Sequence, residues 1–245
     1  MSPRRTLATA RRVLQQLHHD KRTIALIFVV PLVLLGLLAW IYNQTPVIFD
    51  MVGPALLCIF PFVVMFLITS ITTLRERSGG TLERLLAMPM GKLDILLGYA
   101  LSFGLLAIVQ ATLATEVAVH VYGLDIAGPE WFLIIVALAD AVLGTTLGLL
   151  ASAFARTEFQ AVQFMPAFIL PQVLLCGLLV PVAQLPTVLH WAANCLPLTY
   201  AVDAMNRISF ETTIGRRTCI DLFVVVAFAM VAIFLGAATL RRKTK

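Results

Sequence analysis

Apolar residues fall in long blocks along this chain, not at the alternating spacing of strands. The blocks are Ile24–Tyr42, Val52–Leu74, Leu93–Val121, Trp131–Phe154, Ala161–Ala183 and Cys219–Leu240. Each can cross a bilayer as a helix, which takes about 20 apolar residues. In hydrocarbon only helices and closed barrels satisfy every backbone donor and acceptor. The pattern therefore predicts an all-α membrane protein: six transmembrane helices in a single domain over residues 1–245. The first block is expected to stay as a helix. Its charged leader and its apolar run are both longer than a signal peptide has.

Two shorter patterns lie between the blocks. Over residues 1–23, Leu7, Ala10, Leu14 and Leu17 recur at helical spacing, with Arg11, Arg12, Gln15 and His18 elsewhere around the turn. This predicts an amphipathic helix at the lipid interface, apolar stripe in the acyl region and cations near anionic headgroups. A plain polar leader is the alternative. Residues 75–92 break the greasy run with charges and glycines. Gly79 and Gly80 end one helix, Thr81 caps a short helix from Leu82 to Met88, and Pro89 ends that. Residues 184–218 hold an apolar stretch with prolines and read as a re-entrant or interfacial segment.

Charge sets the orientation. Fifteen of the eighteen Lys and Arg residues fall in the intervals that share a side with the N-terminus; Arg207, Arg216 and Arg217 do not. The positive-inside rule then places both termini in the cytoplasm. The net charge of +5 is explained by this topology, and no nucleic-acid-binding motif accompanies it. The four cysteines, Cys58, Cys176, Cys195 and Cys219, show no metal spacing. Cys195 and Cys219 share the outer side, where a disulfide and two free thiols are both open readings.

Among the ionisable residues within the blocks, Glu116, His120 and Asp140 are the ones that matter. A charge at mid-bilayer costs on the order of 3 kcal/mol on insertion scales, so such groups face protein or water. Asp140, Gly144, Gly148 and Ser152 recur every four residues on one helical face. The GxxxG pair permits close helix approach. Asp140 belongs either to a transport path or to a buried packing cluster. Glu116 and His120 sit toward the outer end of their block, where solvation of a helix end suffices. Their ExxxH spacing serves a metal only with further ligands, and no metal site is expected. No P-loop, hydrolase or metalloprotease motif occurs, so no catalytic residue is assigned.

The stretch RERSGGTLERLLAMPMGKLDILLGYAL resembles the RE…GTLE.LL..P segment of ABC-2 type transporter permeases, the group that includes daunorubicin-resistance-type export permeases. NCLPLTYAVDAMNR, Asn194 to Arg207, is similar to the stretch before the last span in that family. The resemblance implies a permease that exports a drug, lipid or lipid-linked glycan across the plasma (cell inner) membrane. It implies two copies of a separate ATP-binding-cassette ATPase, which would bind ATP and Mg, and a second permease subunit, identical or different. This chain itself would bind no cofactor. Coupling to the ATPase falls to Glu76, Arg77, Gly80, Thr81, Leu82, Glu83 and Arg84. An ion-coupled secondary transporter using Asp140 or Glu116, and a non-transporting membrane scaffold, are the readings from other classes.

Overall fold

The computed structural model describes residues 3–80, 92–155 and 157–239. Among these residues the chain is helical, without strands. The helices are α1 (Pro3–His19), α2 (Lys21–Ile41), α3 (Pro46–Ser78), α4 (Lys92–His120), α5 (Glu130–Phe154), α6 (Glu158–Leu175), α7 (Thr187–Asn194), α8 (Pro197–Phe210) and α9 (Arg216–Thr239).

Among the described residues, five helical stretches are long and apolar enough to cross a membrane: Lys21–Ile41, Pro46–Ser78, Leu97–His120, Glu130–Phe154 and Arg216–Gly236. The fifth predicted span, Ala161–Ala183, does not form one helix. The helix α6 stops at Leu175 after 18 residues, about 27 Å at 1.5 Å per residue. That falls short of a hydrocarbon core of about 30 Å. The chain then turns at Gly177, whose φ of +97° suits a residue without a side chain. Pro181 and a single 3-10 turn at Val182–Gln184 follow. The segment 184–218 is itself helical, forming α7 and α8.

α3 begins earlier than predicted. Pro46 occupies its first turn, where a proline loses no helical hydrogen bond. With 33 residues it is about 50 Å long and overshoots a bilayer. Its most extensive partner is α5. The predicted glycine ladder is the reason: Gly144 and Gly148 lie against the backbone carbonyls of Phe62 and Phe66. α5 also packs on α9 and α4. In contrast α2 and α9 turn Leu26, Val29, Val33, Leu37, Phe223, Val226, Val231 and Phe234 outward, the arrangement that suits lipid-facing helices.

Asp20 separates α1 from α2. Its carboxylate accepts the Thr23 hydroxyl at 2.6 Å and the Thr23 N–H at 3.2 Å, which caps α2. Those bonds hold its carboxyl below the usual carboxylate range.

The amphipathic helix forms, but its inner face is rotated from the expected one. Thr6, Thr9, Ala10, Val13 and Leu17 are buried, whereas Leu7 is exposed. The stripe meets α4 instead of lipid. Gly98 allows the approach, since a methyl there would lie 2.6 Å from Thr9 Cβ. Ser102 of α4 adds a hydroxyl 2.9 Å from the Ala10 carbonyl. A spacing rule for lipid contact misses this, because threonines count as polar while a close helix contact favours them for size.

At the opposite end of the bundle, α4 turns into α5 through residues 121–129. Ala127 and Gly128 donate their N–H groups to the Ser209 and Ile208 carbonyls at 3.0 and 2.9 Å. These two bonds satisfy the last turn of α8.

Candidate functional site

The end of the bundle that carries α1 collects the charged residues singled out by sequence. α3 runs past Arg75, Glu76 and Arg77 before it stops at Ser78. The Gly79 N–H bonds the Arg75 carbonyl at 2.9 Å and the Gly80 N–H bonds the Arg77 carbonyl at 3.2 Å. Gly80 takes a φ of +71°, the left-handed turn that glycine adopts without strain. The chain thus leaves α3 where the glycine pair predicts. Thr81, Leu82, Glu83 and Arg84 lie outside the described residues.

Glu76 does not face outward. It is buried, and its Oε2 accepts Arg12 Nη2 of α1 at 2.8 Å. The Tyr99 hydroxyl of α4 donates to the same oxygen. Arg12 Nη2 also lies 3.0 Å from the Tyr99 oxygen. One carboxylate therefore joins three helices: α1, α3 and α4. A charge is tolerated there because it is paired and hydrogen-bonded. Arg12, placed by sequence on the lipid-headgroup side of α1, is the residue the spacing argument missed. Its partner lies 64 positions away, beyond any local pattern.

Arg77 donates to the Ser152 carbonyl near the end of α5. This ties the end of α3 to a backbone oxygen that the finishing helix leaves free. Arg75 reaches the first turn of α6, donating from Nε and Nη2 to the two Glu158 oxygens at 2.8 and 3.0 Å. Those bonds hold the Glu158 carboxyl below its usual range. Both side chains are about half exposed, so the pair contributes no more than about 1 kcal/mol. Replacing Arg75 by alanine is expected to leave the melting temperature in detergent within about 4 °C of wild type. A larger fall would give this pair a structural weight that its exposure denies it.

Asp140 is fully buried at the α3–α5 contact. Cys58 Sγ lies 3.0 Å from its Oδ2, and its Oδ1 is buried without a hydrogen-bond partner. Asp140, Gly144 and Gly148 thus share the face that sequence assigned them. Glu116 and His120 reach the opposite end of α4 and stay half exposed, with Glu130 of α5 beside them.

Cavities open on the bundle among the described residues, and two of them bear on the site. One, about 420 Å³, is lined by polar groups of α7, α8 and α9, among them His190, Thr199, Tyr200, Asp203, Asn206 and Arg217. The other, about 320 Å³, is apolar and lies between α3, α5 and α6, walled by Phe66, Leu147, Phe154 and Phe168. Neither is lined by Asp140. Cys195 and Cys219 are both free thiols.

Comparison with known proteins agrees with these features. The sequence profile described as ABC-2 type transporter matches residues 4–210. The chain is 28% identical over 206 residues to ABC transporter G family member 20 of Dictyostelium discoideum, covering 83% of this chain and 28% of that protein. It is 29% identical over 160 residues to the probable multidrug ABC transporter permease YbhR of Escherichia coli K12, covering 64% of this chain and 43% of the relative. It is 26% identical over 175 residues to the linearmycin resistance permease protein LnrN of Bacillus subtilis, covering 69% and 44%. The chain spans less than half the length of each of these relatives. The matched region takes in α1, the end of α3 and the glycine ladder alike, and with a profile match over that much of its length this chain belongs to the ABC-2 type transporter family.

Proposed function

We propose that the chain is the membrane-spanning permease subunit of an ATP-binding-cassette exporter. ATP is bound and hydrolysed, with Mg, by two copies of a separate ATPase subunit. Two permease subunits, identical or different, pair in the plasma (cell inner) membrane with their termini in the cytoplasm. The cargo is a hydrophobic or amphiphilic molecule. The multidrug and linearmycin-resistance names of two relatives support that class, as do the apolar walls of the smaller cavity.

The observation that carries the coupling role is the three-helix junction at Glu76. It lies on the last turns of α3, directly before the segment that would dock on the ATPase. Residues 75–92 form that contact. Leu82, Glu83 and Arg84 touch the partner, while Gly80 and Thr81 shape the turn. Glu76 and Arg77 act from inside: one holds α1 and α4, the other holds α5. A push on the segment therefore reaches four helices as one body.

Expression beside an ATPase carrying a P-loop, ideally from the neighbouring reading frame, tests the assignment. The permease is expected to purify with that ATPase in equal amounts. A chain that purifies alone in a functional membrane extract, with every neighbouring ATPase present, contradicts it.

A proton-coupled transporter using Asp140 is the second reading, favoured by its unpartnered Oδ1. The packing reading accounts for more: Asp140 touches Cys58 across the most extensive helix contact and lines neither cavity.

A further inference from the structure

We propose that Glu116, His120 and Glu130 form a binding site for a divalent transition metal of the Zn²⁺ class, clamping the end of α4 to the start of α5. Sequence spacing supplies only Glu116 and His120, one turn apart on α4. The fold adds the ligand that spacing lacks, because Glu130 is the first residue of α5.

The two distances from His120 suit coordination better than a hydrogen-bonded ion pair. His120 Nε2 lies 3.4 Å from Glu116 Oε2 and 3.5 Å from Glu130 Oε1. One ring nitrogen carries at most one hydrogen, yet it sits evenly between two carboxylates. Charge-assisted hydrogen bonds run to about 2.7–2.9 Å, and neither contact approaches that. Tetrahedral zinc with bonds of about 2.0–2.2 Å separates its donor atoms by about 3.3–3.6 Å. All three donor atoms here lie within 4.8 Å of one another.

Glu130 Oε1 gives a further sign. That atom is shielded from solvent and has no hydrogen-bond partner, although the Glu130 side chain is 29% exposed overall, so its lone pairs are unused beside His120. Two carboxylates and one neutral imidazole would also balance a divalent charge. Imidazole disfavours Mg²⁺ and Ca²⁺, which take oxygen ligands. The half-exposed His120 and Glu116 leave the fourth position to water.

The ligands stand on rigid elements, as a preorganised site requires. Glu116 and His120 ride the last turn of α4. The intervening turn is pinned by the Leu124 N–H on the Ala118 carbonyl at 2.9 Å and by the Ala127 and Gly128 bonds to α8. Asp50 of α3 accepts the Asp125 N–H at 2.9 Å. The metal would add a direct bond between the ends of two helices that already pack along their length.

Zinc titration of the full chain in detergent, against a competing fluorescent chelator, tests the site. The protein is purified without a polyhistidine tag and with the Cys195 and Cys219 thiols alkylated, since exposed thiols bind zinc themselves. One zinc per chain is expected. His120→Ala and Glu130→Gln should each weaken it by about tenfold or more, by loss of one of three ligands. Glu130→His, which keeps a donor at that place, should retain it. X-ray absorption of zinc-loaded wild type is expected to show one imidazole and otherwise oxygen neighbours near 2.0 Å. A wild-type affinity no tighter than that of His120→Ala, or a zinc shell with two imidazoles or with sulfur, overturns the proposal.

Discussion

Replacing Arg12 by alanine is expected to destabilise the protein by about 3 kcal/mol. The change leaves the buried Glu76 carboxylate with the Tyr99 hydroxyl alone. Removing one partner of a buried ion pair typically costs about 3–5 kcal/mol, because the other charge remains. The lower end applies because the Arg12 side chain is 28% exposed, so water reaches the gap. For a chain of this length about 3 kcal/mol lowers the melting temperature by roughly 6–12 °C. Arg12→Lys should recover part of the loss, since an ammonium supplies charge but not the planar fork. Glu76→Gln should cost less than Arg12→Ala, because the charge it leaves behind, the Arg12 guanidinium, is 28% exposed and reaches water, whereas the Glu76 carboxylate is buried. Differential scanning fluorimetry of the detergent-solubilised protein reads all three. An Arg12→Ala protein melting within about 2 °C of wild type contradicts the junction described above.

The second large effect is expected at Gly148. A methyl there would sit 2.5 Å from the Phe66 carbonyl oxygen and 3.2 Å from that residue's Cα. The obstacle is backbone, so no side chain can swing aside; α3 and α5 must separate. Overpacking costs about 1–3 kcal/mol, occasionally more. Here it falls on the most extensive helix contact in the bundle. Gly148→Ala should lower the yield of monodisperse protein on gel filtration, and Gly148→Val should abolish it. Gly144 meets the Phe62 carbonyl in the same way, so the double alanine change should be worse than either. By contrast Gly104 has open space around it, and Gly104→Ala is expected to behave as wild type. A Gly148→Ala protein with native yield and melting temperature contradicts the close packing.

Much of this fold is legible in the sequence, because hydropathy over a long window reports what lipid demands. Five of the predicted blocks correspond to helices that can cross. The glycine ladder and the buried face of Asp140 also follow from spacing alone. What a window cannot report is a local break. Residues Ala161–Ala183 are apolar enough in aggregate, yet the positive φ at Gly177 and the proline at 181 end the helix early. The inner face of α1 is missed for a related reason: burial there is decided by Gly98 on another helix, not by the hydropathy of α1.

The same limit governs the charged residues. Local sequence marks Glu76 as an acid beside a membrane boundary. Its burial depends on Arg12 and Tyr99, which lie far away in the chain. Glu116 and His120 are visible as a pair, while Glu130 joins them only after the turn between α4 and α5 is built. Pairs one turn apart are readable; partners across helices need the fold.

Under the proposed function, the segment between α3 and α4 is the place where an ATPase acts on these helices. The direct measurement is the ATP hydrolysis rate of the co-purified ATPase in lipid nanodiscs, with wild-type permease and with the Glu83→Ala, Arg84→Ala double variant. The wild-type permease is expected to stimulate hydrolysis, and the double variant to lose most of that stimulation or the complex itself. Equal complex yield and equal hydrolysis rates for the two proteins would contradict the assignment of this segment to coupling.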